Sequence, residues 1–273
     1  MDYKNDAETE GFVRNVLSVD AESRVFFSVV DNSKKTESEW SLFVRRFDSF
    51  GNRVVVSSNG ENLGYFGGMH FAYQQAMKAF ADKEFACAIV SNTDIELVGK
   101  DFFDKLTGML ANVEGGDIGV IAPSIRSSIT GTDQNPLYST KPQRKKFSLL
   151  SQVYSVYALG VAHRLLANVK RILAKAAGVR AAEQSREIYG AHGAFMIFLA
   201  RYFENGLDLN YPEFLFCEEM FVAEQCRVSK LKVVYQPELQ VIHREHSSTG
   251  LVPSRIIVEY LRRSHAFCRD NYF

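Results

Sequence analysis

Short apolar strands alternate with amphipathic helices through the first half of the chain, and this alternation limits the available folds more than any other feature. Residues 7–18 read as a helix with Phe12, Val16 and Leu17 on one face. Residues 24–30, rich in Val and Phe, read as a strand ending at Asp31-Asn32-Ser33. A second helix over 36–47 places Trp40, Phe43, Val44 and Phe47 at helical spacing, and Val54-Val55-Val56 is a second strand. A glycine-rich turn at 62–68, a helix over 71–81 and an apolar strand over 85–90 follow. Near-continuous apolar strands belong to a largely parallel sheet covered by helices on both faces, so the first half predicts an α/β fold of the nucleotide-binding type.

The second half is less regular. It reads as a strand over 118–122, a long helix in a basic stretch ending at Gly178, a strand over 193–198 and a helix over 217–228. Two short strands, 232–235 and 239–242, flank Pro237. With no internal repeat and no low-complexity linker, the expectation is one continuous domain over 1–273, in which a basic helical insertion, 134–188, separates the segments 1–133 and 189–273.

Charge excludes one class of function. Lys and Arg number 32 and Asp and Glu 32, which argues against a nucleic-acid binder acting through whole-surface charge. The neutrality is a cancellation, however. From Gln134 to Ala182 there is no acid, while Lys141, Arg144, Lys145, Lys146, Arg164, Lys170, Arg171, Lys175 and Arg180 contribute +9 and leave −9 to the remainder. The four cysteines, Cys87, Cys217, Cys226 and Cys268, form no C-x-x-C pair, so reduced thiols in a cytoplasmic protein are expected. The first twenty residues are polar and acid-rich, unlike a signal peptide. The mid-chain stretch 147–163 lacks charge but contains Ser148, Ser151, Gln152 and Ser155, too short and too polar to span a bilayer.

Four clusters carry chemistry. Asp31-Asn32 stands at a strand end, where open α/β sheets bind ligands, although an Asx turn puts the same residues there. Asn62 to Gly68 lets backbone approach a ligand ahead of a helix N-terminus, or is simply a tight turn. In Ser91-Asn92-Thr93-Asp94 an acid at the mouth of a buried strand offers oxygen to a hard divalent cation, or caps a helix. Glu218-Glu219 sit in an apolar frame; neighbours on a helix point about 100° apart, so one faces a cleft and the other suits the positive helix end. Burial raises a carboxyl pKa toward that of a general base. His243, after the strand 239–242, adds a nitrogen that is either a ligand or structural.

Taken in order, strand-Asp31-Asn32, Asn62-x-Gly64-x-x-Gly67-Gly68, Asn92-x-Asp94, Gly193-Ala-Phe-Met, Phe214-Leu-Phe-Cys-Glu-Glu and Pro237-Glu-Leu-x-Val-Ile-His243 resemble family 2 glycosyltransferases of the GT-A fold over roughly residues 7–250. The resemblance is to bacterial transferases of the polysaccharide and rhamnosyl type. It implies that 1–133 binds a nucleoside-diphosphate sugar and that 189–273 supplies the acceptor and catalytic side. Asp31 and Tyr3 would hold the nucleobase, and Asn62, Gly64, Gly67, Gly68 and Asn92 would line the donor pocket. Asp94 and His243 would bind Mn2+ or Mg2+. Glu219 would be the base of an inverting reaction, with Glu218 orienting or capping, and His192 and Gly193 would lie on the acceptor side.

The chain departs from the family pattern in three ways. Asn92 replaces the first acid of D-x-D, Glu219 replaces the usual Asp, and Asp2-Tyr3-Lys4-Asn5 matches only the end of the family's first, central strand. The expectation is therefore a truncated first strand with a natural start upstream. Loss of turnover, leaving a nucleotide-sugar-binding protein, and a peripheral membrane scaffold are the alternatives. Apolar residues from Leu150 to Ala176 recur at helical steps, with Arg164, Asn168, Arg171 and Lys175 on a separate stripe. Such a basic amphipathic helix suits an anionic membrane surface, on the inner face of the cytoplasmic membrane, where a saccharide or lipid-linked saccharide acceptor is met; a core helix with a solvated basic face fits the same pattern.

Overall fold

A computed structural model describes residues 1–113, 115–174 (backbone only for 171–174), 184–245 and 252–273. Its elements are α1 (Asp6–Val19), β1 (Phe27–Asp31), α2 (Glu37–Arg45), β2 (Val54–Ser58), α3 (Tyr65–Ala79), β3 (Cys87–Ser91), β4 (Ile95–Leu97), α4 (Phe102–Asn112), β5 (Ile118–Ser127), α5 (Arg144–Val153), α6 (Tyr157–Ala174), β6 (Arg186–Ile188), β7 (Phe195–Leu199), α7 (Ala200–Glu204), α8 (Glu218–Val228), β8 (Lys232–His243) and α9 (Arg255–Asn271). Strands β1 and β2 form a parallel pair, and β3-β7-β5-β8-β4 form a larger sheet with β6 also on β8. In the larger sheet β5 and β8 run parallel, whereas β7 opposes β3 and β5, and β4 and β6 oppose β8.

Strand β7 shows why the core sits where it does. All five of its residues are buried. Met196 and Phe198 point into one cluster with Phe66, Val120, Tyr202 and Val233, and Phe195, Ile197 and Leu199 into another with Phe102, Ile121, Leu239 and Val241. Alternate residues of a strand face opposite sides, so a continuous apolar run glues both helix layers to one sheet. Each large side chain so buried contributes about 1.5–3 kcal/mol.

Several boundaries differ from the sequence expectation for local reasons. Helix α3 starts at Tyr65, so Gly67 and Gly68 form its first turn rather than a loop before it. The two short strands around Pro237 are one strand, β8. Opposite Pro123/Ser124 its register slips from Gln236 to Gln240, and that irregularity absorbs the N–H that Pro237 lacks. The basic stretch holds two helices instead of one; Ser155 Oγ donates to the Gln152 carbonyl (2.6 Å) at the break, a local bond that competes with the helix ladder. Gly178 lies outside the described residues. Elements β4, α4 and α9, on which the sequence reading is silent, complete the layers. No described helix is long and apolar enough to cross a membrane.

The edge formed by the chain start and β1 is organised around one buried cation. Asp2 joins β1 in parallel, its N–H donating to the Val30 carbonyl (2.7 Å) while Asn32 N–H donates to the Asp2 carbonyl (2.9 Å). Lys35 Nζ then lies 3.3 Å from Asp2, 2.9 Å from Asp6 and 3.2 Å from Asp31. Asp2 and Asp31 are buried carboxylates whose desolvation this ammonium offsets. Directly after it, Thr36 and Glu39 close a reciprocal capping box that starts α2, so the position of Lys35 is fixed by the helix it precedes. Replacing Lys35 with alanine leaves two buried carboxylates without their cation, and the unfolding free energy measured by denaturant titration should fall by about 3 kcal/mol; Lys35→Arg should lose less.

Candidate functional site

Three backbone turns meet here, one after β3, one before β7 and one before α8. The chain leaves β3 at Ser91 and passes through Asn92-Thr93-Asp94 into β4, which pairs Ile95 with His243 at the end of β8. This register puts Asp94 Oδ2 3.3 Å from His243 Nε2, both side chains being largely buried. His243 Nδ1 lies 2.8 Å from Gln134 Oε1, an acceptor, so Nδ1 carries the proton. Nε2 is thus the ring nitrogen that faces the Asp94 carboxylate. A carboxylate oxygen beside an imidazole nitrogen is a donor set that suits a divalent cation. Among the described residues no group of three or more His, Cys, Asp or Glu gathers as a complete cage. A cation held here would take its remaining ligands from a bound substrate or water, as Mg2+ commonly does.

The second turn, His192-Gly193-Ala194, lies alongside. The Asn92 N–H donates to the Ala194 carbonyl (2.9 Å), which ties it to the Asp94 turn. His192 N–H donates to Asn135 Oδ1 (2.7 Å), and the His192 ring lies 5.9 Å from that of His243. Burial, and then the neighbouring His243, push the His192 pKa down to about 4, so this imidazole is neutral near pH 7.

The third turn precedes α8. Phe216 and Cys217 are both in the left-handed region, with φ of 73° and 65°. For residues with a Cβ this costs of order 1 kcal/mol each, a strain that clusters at functional sites. It aims the two carboxylates that follow. Glu218 turns back, and its Oε1 accepts the Phe216 N–H at 2.8 Å. Glu219 turns the other way, its Oε1 accepting the Gly193 N–H at 3.3 Å. A Cβ on Gly193 would lie 2.9 Å from that oxygen, so glycine is what allows this approach. Of the two acids, Glu219 is the one that faces the His192–Ala194 turn. Burial raises the pKa of both, and in Glu218 the neighbouring Glu219 adds to the rise.

The loop from Asn62 to Gly64 closes the arrangement. Asn32 Nδ2 donates to Asn62 Oδ1 (3.0 Å) and to the Gly64 carbonyl (2.9 Å), and Leu63 N–H donates to Asn32 Oδ1 (2.8 Å). Gly64 has φ 76°, and a Cβ there would fall 2.0 Å from the Phe214 carbonyl oxygen, so this loop touches the segment leading to Glu218. Tyr65, a residue with no motif to mark it, donates its hydroxyl to the Gly193 carbonyl at 2.7 Å. Burial first, then Glu218, Glu219 and Asp94, hold that phenol well above its ordinary pKa.

The sequence-derived residues are thus gathered unevenly. Asn62, Gly64, Asn92, Asp94, His192, Gly193, Glu218, Glu219 and His243 are linked by the contacts above. Gly67 and Gly68 line the first turn of α3 beside them. Asp31 is buried and its carboxylate is already engaged: Oδ1 accepts from Ser33 N–H (3.0 Å) and Oγ–H (2.6 Å) and pairs with Lys35. Tyr3 is 44% exposed, beyond the Asp2 bridge. Tyr65, Gln134 and Asn135 were missed because each acts through a partner far away in sequence.

No family model matches the chain, and no curated protein matches it. Among solved structures it is similar to GalNAc-T7 crystallised with UDP, GalNAc and Mn2+ (13% identity, TM-score 0.49, over 79% of this chain and 37% of that one). It is also similar to residues 1–349 of S. aureus TarS (11% identity, TM-score 0.54, over 99% of this chain and 71% of that one). The chain thus spans well under two thirds of the GalNAc-T7 chain. The second likeness runs the whole length and shows the fold, the GT-A fold expected from the sequence.

The raised pKa of Glu218 has a consequence for stability. A carboxyl that binds its proton more tightly when folded stabilises most below its unfolded pKa, and that contribution is lost as pH rises through the folded value. Glu218→Gln should therefore raise the melting temperature near neutral pH, and the gain over wild type should vanish below about pH 4.

Proposed function

Starting from the GT-A fold, we propose that this protein is an inverting glycosyltransferase that moves a sugar from a nucleoside diphosphate to a saccharide or lipid-linked saccharide acceptor, in the synthesis of a surface polysaccharide. The observation that carries this reading is the convergence of Asp94, His243 and Glu219 on the His192–Ala194 turn.

Each residue has a physical role in this reading. Asp31 and Tyr3 border the nucleobase end, and the Asn32–Asn62–Gly64 network holds the donor loop together with Gly67, Gly68 and Asn92. Asp94 and His243 would hold a divalent cation, Mn2+ or Mg2+, whose chemistry when bound is to offset the charge on a leaving diphosphate. An acceptor hydroxyl resting on the His192–Gly193 turn lies beside Glu219. Glu219 takes the hydroxyl proton as the oxygen bonds to the anomeric carbon and the bond from that carbon to the diphosphate oxygen breaks, with inversion. Neutral His192 lets the acceptor approach without a competing positive charge. Glu218, hydrogen-bonded to the turn behind it, positions Glu219 rather than sharing its work.

A thermal-shift screen of nucleotide sugars with Mn2+ and Mg2+, paired with an assay for released nucleoside diphosphate, tests this. Asp94→Ala and His243→Ala should abolish the metal-linked part of donor binding. Glu219→Gln should keep donor binding and lower transfer by about 10^2- to 10^4-fold. Donor binding without turnover in the wild type would instead mark a binding protein, and no nucleotide binding would remove the reading altogether. The wild-type transfer rate should also fall on acidification, with the midpoint of the falling limb above the ordinary carboxylate range because burial raises the Glu219 pKa. A limb at the ordinary value of about 4.3 would mean that Glu219 is not the base.

A further inference from the structure

The amphipathic helix α6 is mounted with its apolar side outward. At about 100° per residue, Leu159, Ala162, Leu165, Leu166, Val169 and Ala158 share an arc of roughly 120°, and every one of them is exposed. Leu159, Leu166 and Val169 are 53%, 62% and 52% exposed, values that a core helix does not show for its main apolar residues. The inward side carries Tyr157, Gly160, Val161, Arg164 and Asn168, all buried or half-buried. Gly160 is the contact point, since a Cβ there would stand 2.8 Å from Val258 on α9. The expected separate stripe of Arg164, Asn168, Arg171 and Lys175 is corrected at its first two members, which turn toward the body because the close crossing at Gly160 fixes the rotation of the helix; the side chain of Arg171 and all of Lys175 lie outside the described residues.

The apolar arc continues at the start of α6. Tyr157 donates its hydroxyl to the Pro253 carbonyl (3.1 Å) and Arg255 lies over its ring at 4.9 Å. The residues flanking this contact, Val252 and Ile256, are exposed, as are Val156 and, on α5, Leu149. Charge within α5 and α6 is of one sign, and the α9 acid that Arg144 meets, Asp270, is already paired with Arg269. Arg144, Lys145 and Lys146 open α5 and are exposed, Lys170 borders the arc, and no acid occurs from Gln134 to Ala182. The unit is firmly seated, as Lys141 pairs with buried Glu224 of α8 at 2.9 Å and donates to the Tyr272 carbonyl at 2.6 Å.

We infer that the outer face of α5 and α6, with Val252 and Ile256, is a docking surface for an anionic lipid membrane. A protein partner would need acidic charge around an apolar groove; a bilayer with anionic headgroups offers apolar depth and negative charge together over any extent. The inference extends the proposed function by naming the surface where a lipid-linked acceptor would be met. It rests on helix orientation and charge alone, so it stands or falls separately from sugar transfer.

Flotation of the whole chain with vesicles, without nucleotide sugar, reads this out. Vesicles of phosphatidylcholine with phosphatidylglycerol should bind the chain, and phosphatidylcholine alone should bind it far more weakly. Leu166→Gln with Val169→Gln should reduce binding by about tenfold or more. Arg144→Gln with Lys145→Gln should reduce it by about fivefold per charge on anionic vesicles only. Leu166→Trp should blue-shift its emission on vesicle addition and be quenched by brominated lipid. All these positions are exposed, so the variants should keep the wild-type melting temperature. Absence of binding to anionic vesicles, or binding indifferent to both double substitutions, overturns the inference. So does a concentration-dependent dimer that Leu166→Gln with Val169→Gln dissolves, which would make the face a protein interface.

Discussion

The short turn His192-Gly193-Ala194 is the constraint on which the site depends. Its backbone takes a hydroxyl from Tyr65, gives an N–H to Glu219, accepts an N–H from Asn92 and gives another to Asn135. The Tyr65 helix start, the Asp94 turn, the start of α8 and the start of the basic insertion are therefore held by three consecutive residues. Buried backbone groups must find partners, and here the partners are the functional elements themselves. Strand β7, buried on both faces directly after this turn, keeps it from moving relative to the core.

Charge is handled differently at the two ends of the molecule. At the β1 edge Lys35 compensates Asp2 and Asp31, and those acids serve the fold. At α8 no cation among the described residues is placed against Glu218 and Glu219; they have backbone N–H groups and the helix N-terminus. Burial outweighs that help and raises both pKa values, which is unfavourable for stability near neutral pH but gives a carboxylate the basicity that proton abstraction needs. The whole-chain neutrality of 32 against 32 has a similar division, with a basic face on α5 and α6 and an acidic body.

Residues whose chemistry is tied to a strand end were legible in the sequence. Asp94 and His243 each follow an apolar run, and the pairing of β4 with β8 brings them together. Glu219 was legible as one of two acids in an apolar frame, but the choice between it and Glu218 needed the turn at Phe216 and Cys217, whose left-handed backbone no side-chain pattern announces. Tyr65 and Gln134 work through single hydrogen bonds to residues more than a hundred positions away, and such bonds leave no local period. Helix α6 was legible as amphipathic, yet its periodicity could not say which side faces the body; the small residue Gly160 against Val258 decides that.

The central claim is that Asp94 and His243 form one end of a donor site that Glu219 faces. Anomalous diffraction from crystals soaked with Mn2+ and a nucleoside diphosphate measures it most directly. The account predicts a manganese peak about 2.2 Å from both Asp94 Oδ2 and His243 Nε2, in contact with the diphosphate, with the Glu219 carboxylate on the His192–Ala194 turn. A diphosphate bound elsewhere, or manganese that touches neither Asp94 nor His243, would contradict it.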